Sequence, residues 1–151
     1  MTCDYNEIYS KFYVSMTDPE FYKMDESYVN ELMKTWLHIA SAEPYIQRIF
    51  SELKLDDEME EISFTLSVPI NDDSDIEFVT SIFAKYMIIQ WMKKHVDNNL
   101  HLAFILGGKE EKKIQSNYKN NIDRLDSLEL KLRKYIRDYG YDNNEYLAEE
   151  S

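Results

Sequence analysis

Cysteine, which can cross-link a chain, and glycine and proline, which often end helices and strands, are scarce in this sequence. Its 151 residues include one cysteine, three glycines and three prolines. The single cysteine, Cys3, excludes a disulfide within the chain and is typical of a reducing compartment. Two of the glycines are adjacent, but Gly107-Gly108-Lys109 has none of the other residues of a phosphate-binding loop. The composition therefore argues against disulfide-stabilised and phosphate-loop folds.

Long apolar runs are also missing. A membrane-spanning helix needs about 20 apolar residues, and the longest apolar stretch, around residues 82–92, is broken by Lys85 and Gln90. The N-terminus, MTCDYNEIYSKF, lacks the basic start and apolar segment of a signal peptide. We therefore expect a soluble protein that is made in a cytoplasm and has no membrane contact.

Basic residues are few, since 17 Lys and Arg stand against 29 Asp and Glu and the formal net charge is −12. Nucleic-acid affinity comes mostly from Lys and Arg that displace counterions, so specific DNA or RNA binding is not expected. Residues 1–108 contain 19 acids and 8 bases, whereas residues 109–139 contain 9 bases and 6 acids. Such a chain could attract a second copy front to back, although both regions also suit ordinary solvated faces.

Aromatic residues, in contrast, are abundant: 12 Tyr, 7 Phe and 2 Trp make up 14% of the chain, and 44% of all residues are hydrophobic. This content is too high for a disordered chain. One small core rarely uses so many rings, and Tyr and Trp are enriched at protein–protein contacts. We therefore expect an ordered domain that buries part of its aromatic surface against other subunits.

Apolar residues recur at helical spacing in the first third of the chain. The pattern predicts a short helix over residues 6–16, ended before Pro19, and a longer helix that follows a cap at Asp25. Pro44 interrupts this second helix. Because proline suits the first turn of a helix, we expect a restart that continues through residues 45–53.

Two longer helices are predicted in the second half. The first runs from Asp75 to about residue 98 and is apolar on most sides, which is typical of a helix contacted on several flanks. A compact apolar stretch at 100–106, closed by two glycines, separates it from a final helix over residues 109–139. We expect Gly140 to end this last helix, which at 1.5 Å per residue is roughly 45 Å long.

Residues 62–68 alternate between apolar and polar side chains, which indicates a half-buried β-strand. No second strand is evident, so this segment either pairs with a strand of a neighbouring subunit or lies as an extended loop on the core. We therefore predict a mainly α fold: a small helical bundle with a long C-terminal helix and one short β segment near 62–68. Residues 1–139 would form a single helical domain, and residues 140–151 an acidic, aromatic C-terminal tail.

No catalytic or metal-binding pattern is recognisable. The three histidines, His38, His95 and His101, do not follow the spacing of a zinc site. Residues 55–77 contain nine acids and no Lys or Arg, but they lack the spacing and the glycine of a calcium-binding EF-hand loop. We therefore predict a protein without enzyme activity, cofactor or bound metal.

Three segments of the second half follow one another in a characteristic order. An aspartate-led helix ends in a Trp-containing segment, Ile88–Met92. After a polar turn, a helix opens with the Asn/Ser/Tyr-rich segment Gln115–Asn121 and closes on the basic, aromatic end Arg137–Tyr141. With MDESYVNELMKTWLHIASAEPYIQRIFSELKLDD before them, these segments resemble the head–tail connector (adaptor or neck) proteins of siphophages that infect Gram-positive bacteria.

The resemblance implies a structural virion protein that works as a ring of copies, usually twelve. Such a head–tail adaptor ring lies below the portal protein and continues the DNA channel towards a stopper or tail protein. It implies a location in the virion neck after synthesis in the bacterial host cytoplasm. A mostly negative channel would let DNA pass without specific binding, because phosphate finds few basic groups to hold it.

Two groups of residues are candidates for contacts in such an assembly. For the portal or another subunit, we predict the aromatic and apolar side chains of the last helix and the tail: Tyr135, Tyr139, Tyr141, Tyr146 and Leu147. For the stopper or a neighbouring subunit, we predict residues of the β segment and of the acidic stretch: Phe64, Leu66, Asp72, Asp73 and Asp75.

Two other functions stay open at this point. A stopper or tail-completion protein is a related structural role. A helical interaction module, such as a viral regulator that binds a partner helix, would also account for the apolar central helix, and it would be a stable monomer with an exposed apolar groove.

Overall fold

The computed structural model describes residues 1–106 and 108–142, with the side chains at 98–111, 114 and 140–142 left out. This part of the chain is mainly helical and ends in a long helix, as predicted, and it adds a small antiparallel sheet. The elements in chain order are β1 (Thr2–Asp4), α1 (Tyr5–Ser15), α2 (Pro19–Tyr22), α3 (Glu26–Ala42), α4 (Pro44–Gln47), β2 (Phe50–Asp56), β3 (Glu61–Leu66), α5 (Asp72–Leu106) and α6 (Gly108–Asp142).

The first helices follow the apolar spacing of the sequence. Helix α1 buries four side chains three or four positions apart, and α3 buries five at similar spacing. The short helix α2 begins at Pro19, and the backbone N–H of Glu20 donates to the Asp18 carboxylate at 3.0 Å. Asp25 occupies the expected cap position of α3, but its side chain makes no capping hydrogen bond.

Residues 45–56 differ most from the sequence prediction. The helix expected through 45–53 is wrong, because α4 ends at Gln47 and Phe50–Asp56 form strand β2. Leu53 and Leu55 face the core while Glu52 and the other alternate residues are exposed, which is strand periodicity. The apolar residues just before the strand are still at helical spacing, so the sequence does not show where the helical period changes to the strand period of two.

Strand β3 is the central strand of a three-stranded sheet in the order β1-β3-β2. Cys3 lies opposite Ile62 on one side, and Leu53 lies opposite Phe64 on the other. Because both edges of β3 are occupied within the chain, the predictions of a strand paired with a neighbouring subunit and of a loop are both wrong. The β segment also ends at Leu66, two residues earlier than expected.

Helix α5 is continuous over 35 residues and includes the apolar stretch that was expected to be separate. Its N-terminus is capped by Asn71, whose Oδ1 accepts a hydrogen bond from the backbone N–H of Ser74 at 2.8 Å. Helices α1, α3 and α6 and strand β1 all contact α5. The helix is therefore central, as its apolar sides predicted.

Helix α6 runs antiparallel along α5 and also has 35 residues. The ring of Tyr139 lies on Phe78 near the start of α5, and Lys93 Nζ lies 3.1 Å from Glu129 Oε1 further along the pair. The prediction that Gly140 ends this helix is wrong, because α6 continues to Asp142. Of the predicted tail 140–151, residues 143–151 lie outside the described part of the chain.

An aromatic cluster joins four of the helices. The ring of Phe12 lies 5.1 Å from Phe21 and 5.9 Å from Trp36, and Phe21 lies 5.4 Å from Trp91. All four side chains are buried. Edge-to-face and tilted ring pairs at these separations contribute beyond their buried area. None of the helices in the described residues has the length and apolar character needed to cross a bilayer.

Replacement of Phe12 by alanine should lower the free energy of unfolding by about 3–5 kcal/mol, because it leaves a cavity among three rings. Val14 on the same helix is 86% exposed, so Val14→Ala should change stability by less than about 0.5 kcal/mol. Urea unfolding followed by circular dichroism measures both. Equal stabilities of the two variants would contradict the assignment of Phe12 to the core.

Candidate interaction surfaces

Three of the predicted contact residues are buried within the chain. Phe64, Leu66 and Asp75 are 2%, 4% and 0% exposed. Their burial leaves no surface on these side chains for a stopper or a neighbouring subunit, so that prediction is wrong for them. Asp72 and Asp73 are exposed in the first turn of α5, where the helix dipole stabilises acids.

Asp75 fastens the end of α6 to the start of α5. Its Oδ1 accepts hydrogen bonds from the backbone N–H of Ile70 at 3.1 Å and from the hydroxyl of Tyr139. The Tyr139 ring stacks on Phe78 with centroids 3.6 Å apart and planes 5° apart. Burial and the hydrogen bond to Asp75 raise the pKa of Tyr139, so its hydroxyl stays protonated and can donate.

Tyr135 contributes to the same helix contact. Its half-buried ring lies 5.3 Å from Phe78, and Lys85 Nζ lies 3.6 Å from the ring centroid. Burial raises the pKa of Tyr135 and lowers that of Lys85. Tyr135 and Tyr139 thus hold α6 on α5, and only their exposed portions can meet a portal or another subunit.

The remaining tail candidates lie where the structure says little or nothing. Tyr141 belongs to α6, but its side chain is not among those described. Tyr146 and Leu147 lie outside the described residues. Their predicted contacts with a portal or another subunit therefore stay predictions.

The turn between β2 and β3, residues Asp57–Glu60, forms a small acidic projection that we term the hairpin knob. The Asp56 carboxylate shapes it by accepting hydrogen bonds from the backbone N–H groups of Glu58 and Met59 at 3.0 and 3.1 Å. Glu60 has a φ of 53°, in the left-handed region that few non-glycine residues adopt. Met59 is 66% exposed and lies between acids.

Side chains of α1 and α3 hold the hairpin knob in place. The Tyr5 hydroxyl donates to Asp57 Oδ1 at 2.7 Å, and His38 Nε2 lies 2.9 Å from the same oxygen. Lys34 Nζ lies 3.3 Å from Glu60 Oε1. The hydrogen bonds from Tyr5 and then from His38 hold the pKa of Asp57 below its usual value of 3.8. The knob is therefore a fixed surface rather than a loose turn.

The polar groups around Asp57 are arranged to hold its carboxylate. An ionised carboxylate only accepts hydrogen bonds, so Tyr5 and His38 both direct a proton at Asp57. No group of three or more His, Cys, Asp or Glu in the described ranges could hold a metal ion. The cluster positions the knob.

A second surface lies on the side of α6 that faces away from α5. We term it the α6 outer face; it surrounds a shallow depression of about 380 Å³ lined by Asp123, Asp126, Ser127, Leu130, Lys131 and Lys134. Leu130 is 68% exposed, which is unusual for leucine. An exposed leucine among two lysines and two aspartates makes this face a candidate for contact with another protein surface.

Sequence reasoning missed the two residues at the centres of these surfaces, Met59 and Leu130. Met59 could have been noticed as one apolar residue in the acidic run DDEMEE. Leu130 could have been noticed because it lies outside the apolar stripe of α6, two residues before the buried Leu132. Such residues have no packing role in the chain that the structure describes.

The contact between Tyr139 and Asp75 can be tested by removing one hydroxyl. Tyr139→Phe keeps the ring stacked on Phe78 but takes a donor from a buried carboxylate, which should cost about 1–3 kcal/mol of stability. Tyr28→Phe, whose hydroxyl meets Lys94 at the surface, is the matched control and should cost less than about 0.5 kcal/mol. Urea unfolding measures both, and equal values would place Tyr139 outside the core.

The anchoring of the hairpin knob should depend on pH. Because the pKa of Asp57 is lowered in the folded chain, its contribution is fully present above the unfolded pKa and is lost as pH falls through the folded pKa. Asp57→Asn should therefore destabilise the protein at neutral pH, and its difference from wild type should shrink as the pH falls below the usual carboxyl pKa of 3.8. Asp97→Asn, at an exposed position of α5, is the control. A pH-independent difference would contradict the proposed role of the carboxylate.

No protein-family model matches the chain, and neither a curated protein nor a solved structure is significantly similar to it. A function must therefore be argued from the chain's own surfaces, together with the pattern of its sequence.

Proposed function

We propose that this protein is the head–tail adaptor of a tailed bacteriophage. In this proposal it is a structural, non-enzymatic virion protein that forms a ring, of about twelve copies in the family it resembles, in the virion neck. The ring binds the portal protein on one side and a stopper or tail protein on the other. DNA passes through its channel without specific binding.

One observation carries the proposal: the chain exposes an apolar residue among charged groups on each of two different elements. The hairpin knob is fixed to α1 and α3 and combines acids with an exposed methionine. The α6 outer face combines an exposed leucine with two lysines, which can meet the acids of the knob, and with two aspartates. Contact between two different patches of identical subunits is head-to-tail, and it produces a ring when the rotation between subunits closes.

The long helix pair supports the same interpretation. Each of α5 and α6 has 35 residues, or about 52 Å of helix. The buried side chains described in α6 are confined to Leu132 and Ile136, whereas Tyr118, Ile122 and Leu125 are only half-buried. The half-buried and exposed side chains of α6 leave surface that a neighbour can cover.

The charge of the chain suits a DNA channel. A net charge of −12 on each copy would give a ring a strongly negative surface. DNA phosphates find few basic groups to bind on such a surface, so translocating DNA would slide. Lys131 and Lys134 of the α6 outer face would lie between subunits, away from the DNA.

A stable monomer that binds a partner helix is the second candidate function. It is favoured by a groove between α1 and α5, lined in part by apolar side chains. The two functions differ in oligomeric state, since the module would stay monomeric with or without a portal protein. A stopper or tail-completion role shares the structural class, and no feature of the described residues favours it.

Reciprocal charge reversal tests the ring. Lys131→Glu and Glu58→Lys should each weaken assembly by roughly tenfold at low salt, and the double variant should recover most of the loss because the charges are again opposite. Lys23→Glu, at the exposed lysine that directly follows α2, is the matched control and should assemble like wild type. Mass photometry of each protein, alone and with its portal protein, measures the fraction in rings.

Two outcomes of this experiment would count against the proposal. Wild-type protein that stays monomeric both alone and with the portal protein would contradict the adaptor function itself. Rings that form normally in both single variants would leave the adaptor function standing but would place the subunit contact on other surfaces.

A further inference from the structure

A polar cleft lies between α1, α3 and the hairpin knob. Its volume of about 320 Å³ is near the lower end of the range of small-molecule sites, roughly 300–1,000 Å³. One wall is a face of α3, because its lining residues are three or four positions apart: Ser27, Asn30, Glu31 and Lys34. Asn6 and Tyr9 of α1 and Glu60 of the knob complete the lining. Each of these side chains ends in a polar group, so the cleft suits a polar ligand.

The lining includes a tyrosine hydroxyl that makes no hydrogen bond within the described part of the chain. Tyr9 is 7% exposed, whereas the other lining residues are exposed or half-buried. The Tyr9 hydroxyl itself is buried and has no hydrogen-bond partner among the described residues. Such a hydroxyl has given up its hydrogen bonds to water without gaining others, which destabilises the folded chain. A buried polar group of this kind therefore indicates a role beyond packing.

The electrostatic neighbours of Tyr9 place its hydroxyl end at the cleft. Burial raises the pKa of Tyr9, and nearby acids, first Glu60 and also Glu31, raise it further. Both acids line the cleft. The hydroxyl stays protonated at neutral pH, so it can donate a hydrogen bond to a ligand that presents an acceptor there.

The charges of the lining select the other part of the ligand. Lys34 Nζ lies 3.3 Å from Glu60 Oε1, and within the described residues the Glu31 carboxylate has no ion-pair partner. Glu31 therefore attracts a cation and repels an anion. An ammonium group alone has no acceptor for the Tyr9 hydroxyl, whereas an alcohol oxygen accepts and also donates. A ligand that satisfies both residues carries an ammonium group close to one or more hydroxyls.

The ion pair beside the cleft can adjust to admit such a ligand. The side chains of Lys34 and Glu60 are 29% and 44% exposed. Ion pairs this accessible to water contribute little to stability, because water solvates the separated charges nearly as well. Movement of this pair therefore costs little and can give a ligand access to the buried hydroxyl of Tyr9.

We propose that this cleft binds a small hydroxylated amine of the size of one amino sugar. The ammonium group of the ligand lies at Glu31, and a ligand hydroxyl accepts the hydrogen bond of Tyr9. The amide and hydroxyl groups of Asn6, Ser27 and Asn30 can bind the remaining hydroxyls, because each of these side chains both donates and accepts. The inference concerns the single chain and does not depend on the adaptor function.

Ligand titrations of the isotope-labelled full chain, followed by NMR, test this proposal. Glucosamine at about pH 6, where its amine is protonated, should shift the backbone signals of the cleft. It should bind roughly fivefold more tightly, or better, than glucose, which lacks the ammonium group, and than butylamine, which lacks the hydroxyls. Tyr9→Phe should weaken glucosamine binding roughly tenfold through the loss of one hydrogen bond. The same variant should unfold at the urea concentration of wild type or a higher one, because it removes a buried group without a partner.

Two further variants separate the proposed contacts from a merely structural role. Glu31→Gln should abolish the preference for glucosamine over glucose, because a neutral amide does not attract the ammonium group. Tyr28→Phe, at an exposed tyrosine of α3 outside the cleft lining, should bind glucosamine like wild type. Glucosamine that causes no shifts, equal binding of the three ligands, or undiminished binding by Tyr9→Phe would overturn the proposal. A clear loss of stability in Tyr9→Phe would also overturn it, since the hydroxyl would then have a partner within the chain.

Discussion

Helix α5 is apolar on most of its sides, so the fold must bury this apolar surface under other elements. Helices α1 and α3 cover two flanks, strand β1 brings the sheet against another, and α6 lies along the side that remains. The aromatic cluster shows how strong this constraint is, since Trp91 of α5 reaches rings on α2 and, through them, on α1 and α3. Removing one cover would expose apolar surface that no other described element can shield.

The covering elements also determine where charge can lie. Because α6 packs by one stripe centred on Leu132 and Ile136, its lysines are confined to the opposite side. The sheet packs by Phe64 and Leu66, so the acids of its turn project outward and need anchoring by Tyr5 and His38. The placement of exposed charge on the outer side of α6 and on the knob is thus a consequence of core packing, and the proposed head-to-tail contact uses both places.

The sequence predicted elements whose apolar residues keep one period and missed those where the period changes or the strand is short. Helices α1, α3 and α5 follow from local spacing alone. Strand β2 did not, because Ile46 and Ile49 before it continue at helical spacing, although its partner β3 follows directly after the turn. Strand β1 has three residues and pairs with a distant part of the chain, where Thr2 lies opposite Ser63. Asp75 was mistaken for a surface acid because first-turn acids are common at helix starts, and only the arrival of Tyr139 from 64 residues away buries it.

The structure also changes the reason for expecting a ring. The sequence argument was that one core cannot use so many aromatic rings, yet most described rings are used within the chain, and even the exposed Tyr22 donates to the carbonyl oxygens of Tyr13 and Met16. The large number of aromatic residues is therefore only weak support for the assembly of several subunits. The stronger support comes from two non-aromatic residues, Met59 and Leu130, because each is exposed among charged groups on a rigid element and has no packing role in the described chain.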